Sequence, residues 1–116
     1  MLDKVKIGGL TYDVELSNDL QGRQGNWGEI EYKSTTIRLD DRLNKQVMNQ
    51  TLIHEIMHGM FSEAGIEQDE HKVDVLGKVL YQVLLDNDFS WLRDKEEYEE
   101  TITKEGKFEI PFMDGE

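Results

Sequence analysis

Two histidines and a glutamate stand together in the segment His54-Glu55-Ile56-Met57-His58. Residues four apart on a helix share one face and lie about 5–6 Å apart at Cβ. Two imidazoles placed in this way can bind one tetrahedral Zn²⁺ ion at about 2.0–2.1 Å each. Glu55 can then reach a water beside the ion without being a ligand, which makes it the candidate general base. The spacing predicts a hydrolytic zinc site, against the alternative of two surface histidines so spaced by accident.

A catalytic zinc site also needs a third protein ligand and an open position. The chain has no cysteine and only one further histidine, His71, so we expect a carboxylate. The candidates that follow the motif are Glu63, Glu67, Asp69, Glu70 and Asp74. We favour Glu70, because from the start of a second helix it can point back across the helix pair. It stands three residues before Val73, on the edge of that helix's apolar face.

Asp74 stands one helical turn after Glu70. It is our candidate acceptor for the second ring nitrogen of a ligand histidine, although it fits a plain solvent-facing position equally well. Asp74 is also the strongest competitor of Glu70 as ligand. His58 lies about 9 Å from the predicted end of its helix, so a tight antiparallel helix pair would bring Asp74 nearer the histidines. Fraying of the first helix after Phe61, or a steep crossing of the two helices, would favour Glu70.

The first part of the chain, residues 5–40, has the pattern of a sheet. Apolar and polar residues alternate in two hairpins, the first with a turn at Gly8-Gly9. Residues 17–28 between the hairpins carry glycines and polar turn formers and are predicted to form a loop. We therefore expect a small antiparallel sheet of three or four strands. Asp40-Asp41 would end the last strand and offer an N-terminal cap to the next helix.

The hydrophobic period becomes helical after the sheet. It predicts one helix over residues 44–64, which carries the two histidines, and a second over residues 68–87, which carries the glutamate ligand. Residues 88–116 form a C-terminal extension. Within it, residues 91–100 could make a short exposed helix, and residues 107–112 a strand or a loose tail. Strands followed by two helices predict an α+β fold.

Length and composition limit the classes of protein. The 116 residues fit a single domain over residues 1–116. A net charge of −12 argues against nucleic acid as a partner, since phosphate binding needs clustered Lys and Arg. No run approaches the roughly 18 apolar residues of a membrane span, and Met1-Leu2-Asp3-Lys4 does not begin a secretory signal. The lack of cysteine excludes thiolate metal sites and favours a cytoplasmic location.

The segment from Thr51 to Asn87, with TLIHEIMHGMFSEAG followed by DEHKVDVLGKVLYQVLLDN, resembles the ImmA/IrrE-type metallopeptidases. It is most similar to the compact versions in phages and mobile elements. With the preceding hairpin GEIEYKSTTIRLD, the resemblance covers about residues 5–88. It implies a minimal zincin-like fold. Because members of known role cleave transcriptional repressors, it also implies a regulatory protein as substrate.

The resemblance implies a gluzincin site as well. His54, His58 and Glu70 would bind Zn²⁺, and Glu55 would act as the base. The chain departs from the family's pattern within the second helix, where larger members often show a further acidic residue and an Ala-Asn or Ala-Asp pair. Lys72 and Val73-Asp74 stand at those positions.

Several other residues are candidates for supporting roles. Tyr32, Tyr81 or Tyr98 could donate a hydrogen bond to a tetrahedral oxyanion, and each also fits a core or surface position. Trp27 could face a substrate or pack over the sheet. The strand at residues 36–40 could offer an open edge to which an extended peptide adds as another strand.

These patterns together predict a Zn²⁺-dependent endopeptidase that acts on an intracellular protein or peptide. They predict no nucleic-acid partner and no membrane, and they leave the oligomeric state open. The alternative is a non-catalytic zinc-binding interaction protein on the same scaffold, and a third option is a metal-free interaction domain. Metal content and a cleavage assay separate the three.

Overall fold

The computed structural model describes residues 1–20 and 26–93. The chain divides into two units, residues 1–83 and residues 84–116. The architecture is α+β, as predicted, with a four-stranded sheet and two long helices. The elements are β1 (Lys4–Ile7), β2 (Leu10–Ser17), β3 (Gly28–Glu31), β4 (Thr36–Asp40), α1 (Lys45–Ala64) and α2 (Glu70–Asp86).

The described part of the second unit comprises residues 84–93. It holds the end of α2 and a short 3-10 helix, Ser90–Arg93. This turn overlaps the start of the helix predicted for residues 91–100. The rest of that helix, and the strand or tail predicted at residues 107–112, lie outside the described residues.

The sheet is mixed, and the prediction of an antiparallel sheet was wrong. The strand order is β1-β2-β4-β3, with antiparallel outer pairs and a parallel central pair. The reason is the path of the chain after β2. It first forms β3 at the far edge and then turns back through residues 32–35, so β4 fills the gap between β2 and β3 and runs in the direction of β2.

The same topology changes which strand is an edge. β4 is hydrogen-bonded on both sides, by β2 and by β3, so the prediction of an open edge at residues 36–40 was wrong. Among the described strands, β3 pairs with β4 alone. β1 likewise pairs with β2 alone, so β1 and β3 are the two edge strands of the described sheet.

Helix α1 lies between the sheet and α2 and is covered on both sides. Toward the sheet it contributes Leu52 to a core cluster whose buried members also include Ile7, Tyr12, Ile37 and Leu39. Toward α2 it contributes Met57 and Phe61, which pack with Val73 and Leu80. A helix buried on two faces needs apolar residues around most of its circumference, and α1 has them.

Glycines let α1 approach both neighbours closely. A Cβ at Gly59 would lie 2.7 Å from Cδ1 of Ile7, so a larger residue there would have to displace the end of the Ile7 side chain. On the other side, a Cβ at Gly77 of α2 would lie 3.6 Å from Cα of His54. The two helices are therefore in contact at the level of the first motif histidine.

The ends of the helices are set by side chains and by one glycine. Asn44 caps α1, since its side chain accepts a hydrogen bond from the amide of Val47 at 2.9 Å. The prediction that Asp40-Asp41 would cap this helix was wrong, because Asp40 instead accepts from the amide of Arg42 at 2.9 Å in the turn before it. Gly65 ends α1 in the left-handed conformation, at φ 70°. Asp69 caps α2 by accepting from the amide of Lys72 at 3.1 Å.

In residues 1–20 and 26–93, no helix combines the length and the apolar composition needed to cross a bilayer.

Candidate metal centre

The two motif histidines project from α1 on the same side. Their ring centroids lie 5.0 Å apart, and the rings meet edge to face at 71°. The side chain of His54 is 25% exposed and that of His58 17% exposed. Both rings are thus held by packing on one side and open to the cleft on the other, as the four-residue spacing requires.

Glu70, the first residue of α2, reaches both histidines. Its Oε1 lies 2.8 Å from Nε2 of His54 and 3.3 Å from Nε2 of His58. Donor atoms of the three side chains all lie within 4.8 Å of one another, and the group could hold a metal ion. Ligands of a tetrahedral Zn²⁺ at about 2.0–2.1 Å are about 3.3 Å from each other, so the donors stand close to the separation that the ion needs.

The loop between the helices explains how Glu70 comes level with the histidines. After Gly65 the chain reverses and runs without helical structure through Ile66–Asp69 before α2 begins. Four extended residues span about 13 Å, which is enough to recover the roughly 9 Å between His58 and the end of α1. The first helix does not fray, since it continues to Ala64.

The remaining carboxylates that were considered as ligands have other partners or positions. Glu63 accepts a hydrogen bond from the amide of Gly9 at 3.3 Å, in the β1–β2 turn. Asp69 caps α2. Glu67 and His71 are exposed and do not belong to the donor group among the described residues.

Asp74 lies behind His54. Its Oδ1 is 3.8 Å from Nδ1 of His54, and its Oδ2 is 3.2 Å from Nζ of Lys78. A separation of 3.8 Å is too long for a direct hydrogen bond but short enough for an electrostatic contact. Asp74 therefore faces Nδ1 of His54, the ring nitrogen that does not contact Glu70, with Lys78 sharing its charge.

Gln68 is a partner of His58 that the sequence did not reveal. Its Oε1 lies 2.8 Å from Nδ1 of His58, and its Nε2 donates to the backbone oxygen of His58 at 3.0 Å. The same Nε2 lies 3.3 Å from the hydroxyl of Tyr32. A neutral amide in an irregular loop has no periodicity and no charge that could mark it, so no sequence signal pointed to it.

Glu55 is the buried carboxylate of the site, with 7% of its surface exposed. Burial raises its pKa above the ordinary value of 4.5, and the electrostatic effect of the neighbouring His54 and His58 opposes this rise. Nearby Glu70 and Glu29 raise the pKa further. A carboxylate whose proton affinity is raised in this way is suited to accept a proton and to pass it on.

A cleft of about 750 Å³ contains these residues. One wall is the edge strand β3 with the flanking Trp27 and Tyr32, and the others are α1 and α2. Trp27 is 58% exposed, so it faces the cleft instead of packing over the sheet. Burial, followed by Tyr12 and Glu55, raises the pKa of Tyr32, which keeps its hydroxyl protonated. Tyr81 does not line this cleft, and Tyr98 lies outside the described residues.

Three donor atoms, a buried carboxylate and an edge strand of the described sheet thus meet in one cleft of the first unit. The donor set of two imidazole nitrogens and one carboxylate oxygen suits a borderline ion such as Zn²⁺ and leaves room for a fourth ligand. Comparisons with models of known protein families, with curated proteins and with solved structures find no match to this chain.

Proposed function

We propose that this protein is a zinc-dependent endopeptidase. The observation that carries the proposal is the convergence of His54, His58 and Glu70 on one point in an open cleft, with Glu55 buried beside them. Two imidazoles and one carboxylate with a free fourth position are typical of catalytic zinc, whereas structural zinc sites are closed by four protein ligands.

The chemistry follows from this arrangement. Zinc bound by such a set supplies Lewis acidity, which polarises a carbonyl and lowers the pKa of water from about 15.7 to about 7. Glu55, whose pKa burial has raised, accepts the proton of the attacking water and delivers it to the nitrogen of the leaving amine. The Tyr32 hydroxyl in the cleft wall is a candidate to donate a hydrogen bond to the oxyanion, in exchange for its long 3.4 Å bond to the backbone oxygen of His58.

A peptide is the substrate class that the cleft fits best. β3 is an edge strand of the described sheet and lies in the cleft wall next to the histidines, and edge strands are the places where an extended peptide can add as another strand. The resemblance of residues 5–88 to ImmA/IrrE-type peptidases, including those of phages, supports the same reading. We therefore propose an intracellular protein as substrate, and a transcriptional repressor as the first candidate.

Glu55→Gln tests the mechanism. We expect this variant to bind zinc as the wild type does and to lose cleavage by at least about a hundredfold, because general-base catalysis contributes about 10²–10⁴-fold. The assay uses a mixed fluorogenic peptide library and the repressors encoded beside the gene. Glu15→Gln, at an exposed glutamate of β2, is the control with the same change of charge.

Three outcomes decide between the hypotheses. Loss of cleavage in Glu55→Gln alone supports the peptidase. Wild-type protein that binds zinc in equimolar amount but cleaves nothing in either substrate set supports the non-catalytic zinc-binding alternative. Protein that contains no zinc and binds none when it is added overturns both and leaves a metal-free interaction domain.

A further inference from the structure

The hydrogen bonds of Gln68 can be assigned a donor and an acceptor one after another, starting from a backbone oxygen. The backbone oxygen of His58 can only accept a hydrogen bond, so the group of Gln68 that faces it at 3.0 Å must be the donor, Nε2. The other end of the amide, Oε1, therefore faces Nδ1 of the same histidine at 2.8 Å. An amide oxygen can only accept, so Nδ1 must carry a proton.

This protonation has a consequence at the opposite side of the ring. In a neutral imidazole one nitrogen donates and the other accepts, so a proton on Nδ1 leaves a lone pair on Nε2. That nitrogen lies 3.3 Å from Oε1 of Glu70, which is also an acceptor when ionised. Two lone pairs that face each other are stabilised by a cation between them, as a metal ligand set requires.

We propose that Gln68 is a positioning residue that fixes His58 in the Nδ1–H form and so directs its Nε2 toward the metal. The residue binds one histidine at two places, ring and backbone, so it also ties the loop before α2 to α1 and holds Glu70 level with the ring. The proposal rests on the proposed function only in taking His58 as a ligand, and it does not depend on peptidase activity.

Tyr32 hydrogen-bonds to the side-chain amide of Gln68 but not to the imidazole ring of His58. Its hydroxyl donates to the backbone oxygen of His58 at 3.4 Å and accepts from Nε2 of Gln68 at 3.3 Å. Both distances are long, and neither involves an atom of the imidazole. Removing this hydroxyl should therefore leave the tautomer of His58 as it is, which makes Tyr32→Phe a matched control.

The direct test is the tautomer of His58 in metal-free protein, measured from its ring ¹⁵N chemical shifts by NMR. The pH is raised until the ring shifts stop changing, so that the spectrum reports the neutral tautomer. We expect the Nδ1–H form in the wild type and in Tyr32→Phe. In Gln68→Met, which keeps the length but removes both polar atoms, we expect the Nε2–H form, because Glu70 then remains as the acceptor near the ring.

Zinc affinity supplies the second measurement, by competition with a chromophoric chelator. We expect Gln68→Met to bind zinc about 10–100-fold more weakly, the usual effect of losing a partner that orients a ligand. Gln68→Glu keeps an acceptor for Nδ1 and should recover both the tautomer and most of the affinity. The ring signals of His54 serve as an internal control, since they should not change in either variant.

The outcomes separate this proposal from the preceding one. An Nε2–H ring for His58 in the wild type, or an unchanged tautomer and affinity in Gln68→Met, would overturn the role of Gln68 whether or not the protein is a peptidase. Wild-type protein with the Nδ1–H tautomer but no affinity for zinc would instead overturn the metal site of the proposed function. It would also limit Gln68 to anchoring the loop.

Discussion

Helix α1 meets the sheet on one side and α2 on the other, and the two contacts differ in depth. On the sheet side Ile37 and Leu39 are fully buried and Leu52 is 5% exposed. On the other side Val73 of α2 is fully buried, but the neighbouring Leu76 and Val79 are 46% and 54% exposed. The histidines thus belong to a helix fixed by a deep core, whereas Glu70 belongs to a helix held by fewer buried side chains.

This difference suggests how the site would work as a unit. The core on the sheet side fixes the positions of His54 and His58 before any metal arrives. The position of Glu70 depends on the thinner α1–α2 contact, on Gln68 and on the cap at Asp69. A metal ion bound by all three ligands would therefore add most of its stabilisation to α2. Substitutions on the two sides of α1, and zinc itself, can therefore measure one contact against the other.

The largest expected effect is on the sheet side. Leu39→Ala should lower the free energy of unfolding by about 2–5 kcal/mol, since it leaves a cavity in a fully buried position. Leu80→Ala is the matched change on the α2 side, where the leucine is only partly buried, and should cost less than about 2 kcal/mol. Urea unfolding of the metal-free proteins measures both. Equal costs, or a larger cost for Leu80→Ala, would mean that the two contacts do not differ as described.

Zinc should change this balance. At a free concentration about a hundred times its Kd, zinc should raise the free energy of unfolding by about 2.7 kcal/mol, because it binds the folded state. Hydrogen exchange should show the greater gain in protection at residues 70–83 of α2, and the smaller gain in β4. Addition of a chelator should reverse both changes. A uniform gain over the two elements would argue against a ligand contributed by α2.

A substitution at Asp74 should have a smaller effect, and it should act on the affinity for zinc. Asp74→Asn removes the charge that faces Nδ1 of His54, and loss of such partners weakens zinc binding by about 10–100-fold. We expect the lower end of this range, because the 3.8 Å separation excludes a direct hydrogen bond. The measurement is the same chelator competition as for Gln68.

Lys78→Met provides the opposite change for comparison, since it removes the cation paired with Asp74. This variant should bind zinc no more weakly than the wild type, because Asp74 is then free of a competing positive charge. If Asp74→Asn and Lys78→Met weakened binding equally, a general disturbance of α2 would explain the result better than the charge at His54.

The two sides of α1 also differ in how far the sequence could predict them. The helices run within two residues of their predicted bounds, because a 3.6-residue period and Gly65 mark them locally. Alternation likewise predicts that strands exist and which face is apolar. It carries no information on which strands pair, so the insertion of β4 between β2 and β3 and the place of β3 at the edge of the described sheet could not be predicted.

The candidate site divides in the same way. His54, Glu55 and His58 follow from spacing within one helix, and Glu70 required an argument about the start of the next. Gln68 could not be found, and for Trp27 the choice between the cleft and the sheet stayed open, because both positions depend on how the irregular segments fold back against α1 and β3. Interactions between elements joined by loops depend on distances that a sequence pattern does not contain.

The smallest effect concerns acid pH and the sheet side alone. Asp40 is buried at the end of β4, and hydrogen bonds from the amide and then the side chain of Arg42 lower its pKa below 3.8, against the effect of burial. The charged form thus favours the folded state. Its contribution is complete above the unfolded pKa and is lost as the pH falls through the lower folded pKa. Asp40→Asn should therefore flatten the fall of the unfolding free energy below about pH 4.

The measurement is urea unfolding in the presence of a chelator, so that bound metal does not contribute to the stability. Asp41→Asn is the control, since it makes the same change of charge one residue away. If the free energy of unfolding fell equally steeply at acid pH in the wild type and in Asp40→Asn, the charge of Asp40 would not stabilise the turn before α1.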